Sequence, residues 1–374
     1  MNMAPFFLAF VLLMGAMNYY SYRRFLVRLT PNLPQWVTAG LPLLLQLGEI
    51  LFAVEAATRF VIDSPLVYGV LASSIAFSFL LFNFALLYDL LLQVSRRIPF
   101  DRGRRRFIKL GFDVTMLIAA LAYLAKGLVE GLKTPRVKRV DVAIPDFPFD
   151  GYNVVQLSDL HIGRFIQGDF LQRVVERTNA LEPDLVVITG DLVDLPIGEV
   201  EDYLEPLREL RAPAYFVLGN HEYFHGPHAI LEGLERLGLR TLVNESVRIG
   251  GAGGFELVGL ADRIGARVGM LAPDPARAFA ATDPDLPTLV LAHQPKMMER
   301  LGGYRWDLML SGHTHGGQIF PFGLLVMVDQ PYLAGLHRTP GGGQIYVSRG
   351  AGTWGPPMRV LAPAEITHIV LRRA

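Results

Sequence analysis

The sequence predicts a chain in two parts: an N-terminal all-α membrane domain over residues 1–139, and a C-terminal α/β domain over residues 140–374. The first part contains long apolar runs, whereas the second alternates short β-branched runs with amphipathic stretches. Charge divides at the same place. Residues 1–140 carry 16 Lys and Arg against 7 Asp and Glu, a balance of +9, and residues 141–374 carry 19 against 28, a balance of −9. A membrane anchor with basic loops joined to an acidic soluble domain fits this division.

The composition excludes several classes of protein. The chain of 374 residues is 51% hydrophobic and 19% charged, with a mean hydropathy of +0.32. That is too apolar for a disordered chain and high for an ordinary soluble enzyme. The sequence has no cysteine, so disulfides, thiolate metal ligands and cysteine nucleophiles are excluded.

Four apolar runs in the first part predict about four transmembrane helices, each of which needs about 20 residues. They cover residues 5–20, 37–60, 66–94 and 110–132. The first run is expected to be a retained helix rather than a signal peptide, because no basic residue precedes it and no small-residue cleavage site follows it. We therefore expect a multi-pass protein of the cell's inner membrane, with the lipid bilayer as its first partner.

The loops between these runs predict the orientation. The first loop carries three arginines, Arg23, Arg24 and Arg28, and the second carries one, Arg59, beside Asp63. The third loop carries seven basic residues, which are Arg96, Arg97, Arg102, Arg104, Arg105, Arg106 and Lys109. The positive-inside rule places the first and third loops in the cytoplasm and the α/β domain on the other side, although Lys133, Arg136, Lys138 and Arg139 argue weakly against it. Beside a membrane, the third loop is expected to contact anionic lipid and not nucleic acid.

Four acidic residues lie in or near the apolar runs. Asp89 and Asp113 flank the third loop and are expected to pair with its arginines or to reach the headgroups. Glu49 and Glu55 are more central, and they leave open a substrate or ion path through the membrane.

The second part predicts a layered α/β sandwich, since strands and helices alternate first and a strand-rich tail follows. Strands are predicted at 154–157, 185–189, 215–218, 255–260, 288–292, 307–310, 344–348 and 365–371. Helices are predicted at 170–180, 200–210 and 229–237.

Five short polar motifs begin where an apolar strand stops. They are Asp159-Leu160-His161, Gly190-Asp191 with Asp194, Gly219-Asn220-His221-Glu222, Ala292-His293, and Gly312-His313-Thr314-His315. Ligands of open α/β sheets gather at the carboxyl ends of strands. Imidazole and carboxylate groups suit zinc, manganese or iron, and residues two apart on an extended chain point to the same side. The motifs therefore predict a metal site, and the histidines outside them, such as His228, are expected to take no part.

These motifs resemble those of the calcineurin-like metallophosphoesterase superfamily, over roughly residues 151–373. The membrane-anchored branch, the transmembrane proteins with a metallophosphoesterase domain, is the more similar. The motifs that carry this resemblance are Ser158-Asp159-Leu160-His161, Ser311-Gly312-His313-Thr314-His315-Gly316-Gly317-Gln318 and Ser348-Arg349-Gly350-Ala351-Gly352-Thr353. The resemblance implies a β-sandwich flanked by helices and a site with two divalent metal ions, either Mn, Zn or Fe.

The resemblance also implies a role for each motif residue. The first metal would be held by Asp159, His161 and His315, and the second by Asn220, His293 and His313, with Asp191 bridging the two. His221 would be the catalytic histidine, and Asp194 would orient it through a hydrogen bond. In the protein-phosphatase branch an arginine that grips phosphate follows this aspartate, but here Leu195 takes its place. That difference counts against a protein phosphatase.

The charge of such a site suits an anionic substrate. Two divalent cations, two aspartates and a bridging hydroxide leave about +1. The expected reaction is hydrolysis of a phosphomonoester, phosphodiester or pyrophosphate bond by the metal-bridging hydroxide, with His221 donating a proton or stabilising the phosphoryl oxygens. Arg349 and Arg359, on either side of Trp354 in a glycine-rich segment, are candidate phosphate contacts because arginine binds phosphate in a bidentate manner.

The membrane anchor indicates a lipid-linked substrate, and three alternatives stay open. The branch resembles enzymes named UDP-2,3-diacylglucosamine hydrolases, but the predicted orientation disfavours a cytoplasmic nucleotide-linked lipid. A small transporter with a regulatory phosphoesterase-like domain rests on Glu49 and Glu55 alone. A binding protein that lost the chemistry is disfavoured because the set of motif residues, including His221, is complete.

Overall fold

A computed structural model describes residues 4–30, 32–58, 64–95 and 102–374 of the protein. The chain divides into two compact units. The first contains residues 1–129 with 355–358, and the second contains residues 130–354 with 359–374. The predicted fold class, an apolar helical region followed by an α/β domain, is confirmed.

The first unit is helical. Its helices are α1 (Ala4–Ser21), α2 (Gln35–Thr58), α3 (Pro65–Ser95) and α4 (Arg102–Gly131), and a π-helical turn at Tyr22–Leu26 continues α1. Within the described residues, three stretches are long and apolar enough to cross a membrane, which are Gln35–Thr58, Pro65–Val94 and Ile108–Gly131. The expected count of four is therefore corrected to three. Helix α1 is about 27 Å long at 1.5 Å per residue, which is shorter than a hydrocarbon core of about 30 Å, and it ends in Asn18, Tyr19, Tyr20 and Ser21.

Two acidic residues of the apolar helices form ion pairs. Asp113 pairs with Lys109, a basic residue of the predicted third loop, and not with one of the arginines that were expected as its partners. Asp89, however, pairs with arginines of the first loop, and its carboxylate lies 2.7 Å from Arg28. That correction follows from the fold, because the π-helical turn after α1 packs against α3. Arg59, Asp63, Arg96 and Arg97 lie outside the described residues.

Glu49 and Glu55 are both buried within the helical unit. The amide Nδ2 of Asn18 donates a hydrogen bond of 3.0 Å to the Glu49 carboxylate and so joins α1 to α2. Polar side chains that hydrogen-bond across helices stabilise helix association in membranes. This contact gives Glu49 a structural role, and it weakens the observation on which the transporter alternative rests.

The second unit contains twelve strands in two six-stranded sheets. The strands of the first sheet are, in spatial order, β1 (Arg136–Ile144), β12 (Glu365–Arg373), β2 (Tyr152–Leu157), β3 (Leu185–Thr189), β4 (Ala214–Val217) and β5 (Arg240–Thr241). Those of the second sheet are β10 (Gly335–Arg338), β11 (Gln344–Val347), β9 (Leu308–Ser311), β8 (Thr288–Leu291), β7 (Phe255–Gly259) and β6 (Glu245–Ile249). Neighbouring strands from β2 to β5 are parallel, and so are β7, β8, β9 and β11.

Helices cover the outer faces of the two sheets. They are α5 (Gly168–Asn179), α6 (Ile197–Leu204), α7 (Asn220–Phe224), α8 (Pro227–Arg236), α9 (Ile264–Val268), α10 (Pro275–Phe279) and α11 (Gly323–Asp329). Strand β3 shows how the layers form, because successive side chains of a strand point to opposite faces. Leu185 and Val187 enter the core between the sheets, whereas Val186 and Ile188 enter the core beneath α5, α6 and α8. A strand buried on both faces needs a continuous apolar run, which is what its sequence shows.

The parallel strands bring the five polar motifs together. The motifs follow the carboxyl ends of β2, β3 and β4 in one sheet and of β8 and β9 in the other. Because parallel strands end at the same edge of a sheet, the two sheets place these loops side by side. The fold thereby converts motifs more than 150 residues apart in sequence into neighbours, as the hydrogen bond between Asp159 and the amide of His313 shows.

Candidate active site

One group of candidate ligands joins the two sheets and consists of Asp159, His161 and His315. Their ligand atoms all lie within 4.8 Å of one another, and all three residues are buried. The Nε2 atoms of His161 and His315 are 3.0 Å apart, and His315 Nε2 is 3.5 Å from the Asp159 carboxylate. These are the three residues predicted to hold the first metal.

A second group consists of Asp191, His293 and His313, again within 4.8 Å of one another. His293 Nε2 lies 3.1 Å from Asp191 Oδ2, 3.2 Å from His313 Nδ1 and 3.1 Å from the amide oxygen of Asn220. The other ring nitrogen, His293 Nδ1, donates to the carbonyl of Thr189 at 2.8 Å, so that Nε2 is the nitrogen that faces the other candidate ligands. The four residues predicted for the second metal or the bridge therefore meet at one point.

Asp191 lies between the two groups. Its Oδ2 atom is 3.1 Å from His293 and 3.9 Å from the Nε2 atoms of both His161 and His221. Its other oxygen, Oδ1, accepts the backbone N–H of His221 at 2.9 Å. One carboxylate thus faces both groups, which is the position a bridging ligand requires.

Asp194 contacts two histidines through one oxygen. Its Oδ1 is 2.7 Å from Nδ1 of His221 and 2.7 Å from Nδ1 of His161. These two bonds orient both imidazoles, so that their Nε2 atoms face Asp191. Asp194 is therefore placed to hold a predicted metal ligand as well as the predicted catalytic histidine.

The backbone is strained at the candidate ligands. Asp159, His161, Asp191, His313 and His315 all have positive φ, between 50° and 71°. Residues other than glycine seldom adopt this left-handed region, and they cluster in it at functional sites. Each costs about 1–2 kcal/mol. Contacts elsewhere in the fold compensate for the strain energy, and the strained backbone directs the side chains of the five candidate ligands to one place.

The protonation of the site follows from burial and neighbouring charge. Burial raises the pKa of Asp191, but His293 and His221 outweigh that effect and hold this pKa well below its ordinary value. Burial likewise raises the pKa of Asp194, and His161 and His221 lower it further than burial raises it. Burial, with His293 next, lowers the pKa of His313 to about 3. Asp191 and Asp194 are thus ionised and His313 is neutral, whereas burial raises the pKa of Asp159, and Asp191 outweighs the effect of burial and raises the pKa of His293.

The donor set fits divalent cations. Burial, followed by the neighbouring His161, lowers the pKa of His315 well below its ordinary value, so His315 is neutral, as is His313. Metal ligation requires neutral imidazole and ionised carboxylate. The facing ring nitrogens of His161 and His315, and those of His293 and His313, are 3.0–3.2 Å apart, which is close enough for one cation to bind both nitrogens of a pair.

Glu222 is a site residue that the sequence reasoning left without a role. It is fully buried, and its carboxylate accepts backbone N–H groups from Asp191, Leu192 and Gly219 at 2.7–3.0 Å. It thereby fixes the loop after β3 to the loop after β4. The sequence signal was its position three residues after Gly219, where a glutamate can bond back to the start of a short helix, α7.

The two arginines predicted to contact substrate differ in exposure. Arg349 is partly exposed, and its guanidinium donates to Glu365 at 3.0 Å. Arg359 is 1% exposed, donates to four backbone carbonyls and to the carbonyl of His315, and lies 3.2 Å from His315 Nδ1. This geometry argues against direct contact between Arg359 and a substrate and makes it a support for His315.

Comparison with known proteins agrees with this site. The family model for calcineurin-like phosphoesterases matches residues 152–317, the segment from β2 to the turn after β9 that carries every candidate ligand. An uncharacterized metallophosphoesterase of Helicobacter pylori is 39% identical over 369 residues, with 97% of each chain covered. One from Campylobacter jejuni is 32% identical over 370 residues, covering 97% of this chain and 96% of that protein.

A vertebrate relative carries the membrane region as well. The transmembrane protein with metallophosphoesterase domain of Danio rerio is 32% identical over 399 residues, covering 98% of this chain and 89% of that protein. Identity at this level over nearly the whole length includes both the apolar helices and the α/β domain. The chain belongs to the calcineurin-like metallophosphoesterase family and is a phosphoesterase hydrolase.

Proposed function

We propose that the protein is a membrane-bound, metal-dependent phosphoesterase that hydrolyses a phosphoester or pyrophosphate bond of a lipid-linked substrate. The observation that carries this proposal is the pair of Asp/His groups, of which the second contains Asp191, whose carboxylate also lies 3.9 Å from His161 of the first. The His161–Asp194–His221 set lies beside them. The family model and the site geometry support the chemistry. The three candidate spans support the location in a membrane.

In this proposal two divalent cations are held by the predicted residues. Asp159, His161 and His315 would hold one, Asn220, His293 and His313 would hold the other, and Asp191 would be shared by both. When bound, the cations supply Lewis-acid stabilisation of the phosphoryl charge and make water nucleophilic near neutral pH. The ligand chemistry suits Mn, Zn or Fe.

His221 acts on the leaving group in this proposal. It is partly exposed, whereas the candidate ligands His161 and His293 are almost fully buried. Burial lowers its pKa, but Asp191 and Asp194 outweigh burial and raise it to about 9. Because Asp194 holds Nδ1, Nε2 is the nitrogen that is placed to donate a proton. Bound cations oppose this rise, since positive charge nearby favours the neutral imidazole.

Apolar groups beside His221 support a lipid-linked substrate. The rings of Phe224 and Trp354 lie 5.9 Å and 6.1 Å from the His221 ring, centroid to centroid, and both side chains are exposed. Leu195, which stands where the protein-phosphatase branch has arginine, packs against the core beneath α5, α6 and α8. An apolar substrate group next to the scissile phosphate would find partners here, and Arg349 is the remaining candidate for phosphate contact.

The first prediction concerns the bridging carboxylate. Asp191→Asn should reduce bound metal below two ions per chain and lower hydrolysis of bis(p-nitrophenyl) phosphate to background, because the amide removes the charge that both cations share. Metal analysis of the purified protein measures this. Asp202→Asn, an exposed acid, is the control and should behave as wild type. Two ions per chain and normal turnover in Asp191→Asn would refute the assignment.

A second prediction separates chemistry from metal binding. His221→Ala should retain both metals and lose about 10²–10⁴-fold in turnover, the usual contribution of a general acid. The matched control is His228→Ala, a histidine outside the site that is exposed to solvent. If His221→Ala lost metal in proportion to activity, His221 would be a ligand and the proposed role would be wrong.

The third prediction distinguishes the two arginines. Arg349→Ala should raise KM for the phosphoester with both metals bound, and it should lower the melting temperature less than Arg359→Ala does, because it removes one partly exposed ion pair, with Glu365. Arg359→Ala should instead lower the melting temperature, because each buried carbonyl left without a donor costs about 1–3 kcal/mol. Thermal unfolding and steady-state kinetics of both variants decide this. A stable Arg359→Ala with raised KM would restore Arg359 as a substrate contact.

The fourth prediction concerns orientation. We propose that the α/β domain lies on the non-cytoplasmic side of the inner membrane, because the third loop carries seven basic residues against one in the second. Alkaline phosphatase fused after Ala374 should be active, and green fluorescent protein at the same point should be dark. The opposite pair of results would reverse the orientation and favour the UDP-2,3-diacylglucosamine-type pyrophosphate hydrolase.

A further inference from the structure

The second unit carries an exposed apolar segment at residues 320–328, whose sequence is Phe-Pro-Phe-Gly-Leu-Leu-Val-Met-Val. It contains no polar side chain over nine residues, and only Gly323 among them is buried. The large side chains are widely exposed, Val328 by 84% and Leu324 by 64%. Helix α11 therefore presents apolar side chains on nearly all sides. A contiguous exposed patch of this kind marks an interaction surface.

This segment is attached to the candidate active site through the preceding turn. Gly317 ends the turn that begins with His315, and it packs so closely on Gly323 that a side chain on Gly317 would collide with the backbone of Gly323. The side chain of Gln318 accepts from the backbone N–H of Trp354 and donates to its carbonyl, both at 2.9 Å. The Trp354 ring, 51% exposed, then lies beside His221. The turn after β9 thus connects both the apolar segment and Trp354 to the candidate active site.

We propose that residues 320–328, together with Trp354, form a lipid-docking surface that inserts into the bilayer in which the protein's own helices are embedded. The chain length favours this occupant. Candidate span Ile108–Gly131 ends five residues before β1 begins at Arg136, and five residues reach at most roughly 18 Å. The second unit is thus tethered at the membrane surface, where a lipid phase is always available to cover the segment.

The chemistry of the segment also favours lipid over a protein partner. Protein interfaces surround an apolar centre with a polar rim that forms hydrogen bonds, and the side chains of residues 320–328 offer none. Lipid tails require none. Trp354 supplies an aromatic ring of the kind that favours the membrane–water interface, and Phe320 and Phe322 supply apolar rings of the kind that enter the lipid on interfacial helices. Asp329, which ends the helix, pairs with Lys296 at 2.7 Å, so the boundary of the surface carries a neutralised charge.

Docking would hold the exposed side of the candidate active site, at His221 and Trp354, at the level of the lipid headgroups. A lipid-linked phosphoester would then reach His221 without leaving the membrane, with its apolar part beside Trp354. This consequence rests on the proposed function, but the docking itself does not depend on catalysis. The test therefore measures lipid contact and not turnover.

The absence of cysteine allows a site-specific test in the full chain. Single variants Val328→Cys, Met270→Cys and Leu117→Cys would each carry a nitrobenzoxadiazole dye in phosphatidylcholine vesicles, at less than one chain per vesicle. Met270 is an exposed apolar residue of the same unit outside the segment, and Leu117 is an exposed residue of a candidate span. Two quenchers are compared, a nitroxide on the lipid acyl chain and iodide in the water.

The dye at 328 should lose fluorescence to the nitroxide as the dye at 117 does, and should resist iodide. The dye at 270 should show the reverse. Quenching of the dye at 328 by iodide alone would mean that the segment lies in water, and protection from both quenchers would mean that protein covers it; either result overturns the proposal. The same measurement in the Asp191→Asn background should be unchanged, so loss of hydrolysis and loss of docking remain distinguishable.

Discussion

The burial of several carboxylates in one cleft is the constraint on which the rest of the site depends. Asp159, Asp191 and Glu222 are each at most 2% exposed, and a buried carboxylate is stable only when charge or hydrogen bonds compensate for its lost hydration. Glu222 obtains backbone N–H groups, whereas Asp191 faces three imidazoles. The neutral His313 and His315 add lone pairs and no charge. A cation-binding centre is the arrangement that satisfies all of these groups at once.

The fold holds the candidate ligands together although their backbone is strained and the loops that carry them lie very close to one another. Five candidate ligands adopt positive φ, so the loops that carry them must be held from several directions. A side chain at Gly219 would collide with Asp191, and one at Gly312 would collide with Ser158 and Asp159. Glu222 connects the loops after β3 and β4, and Arg359 supports His315. The rigid sheet ends and these buried connections together fix where the side chains meet.

The sequence was most informative where one physical signal dominated. Apolar runs bounded by Gly and polar residues predicted β3 at residues 185–189, as observed, and most other strands within one or two residues. Effects that depend on tertiary contact were missed. Asp89 finds its arginine partners because the π-helical turn after α1 packs against α3. Arg359 is buried because the glycine-rich segment after β11 folds around it, and Glu222 has its role because the loops after β3 and β4 meet. Helix α11 was missed because its apolar residues show no amphipathic period.

The way the two parts of the chain are joined bears on how the enzyme finds its substrate. The site lacks an arginine at position 195, and Arg349 shares its guanidinium with Glu365, so few cations other than metals are available to hold phosphate. Weak binding of the phosphate group is sufficient when the substrate is confined to the same membrane as the enzyme. Under the proposed function, the enzyme and a lipid-linked substrate would share one membrane, and this confinement raises their effective concentration. The anchor would then supply binding that a soluble phosphoesterase must obtain from its pocket, and the pocket would be left to perform the chemistry.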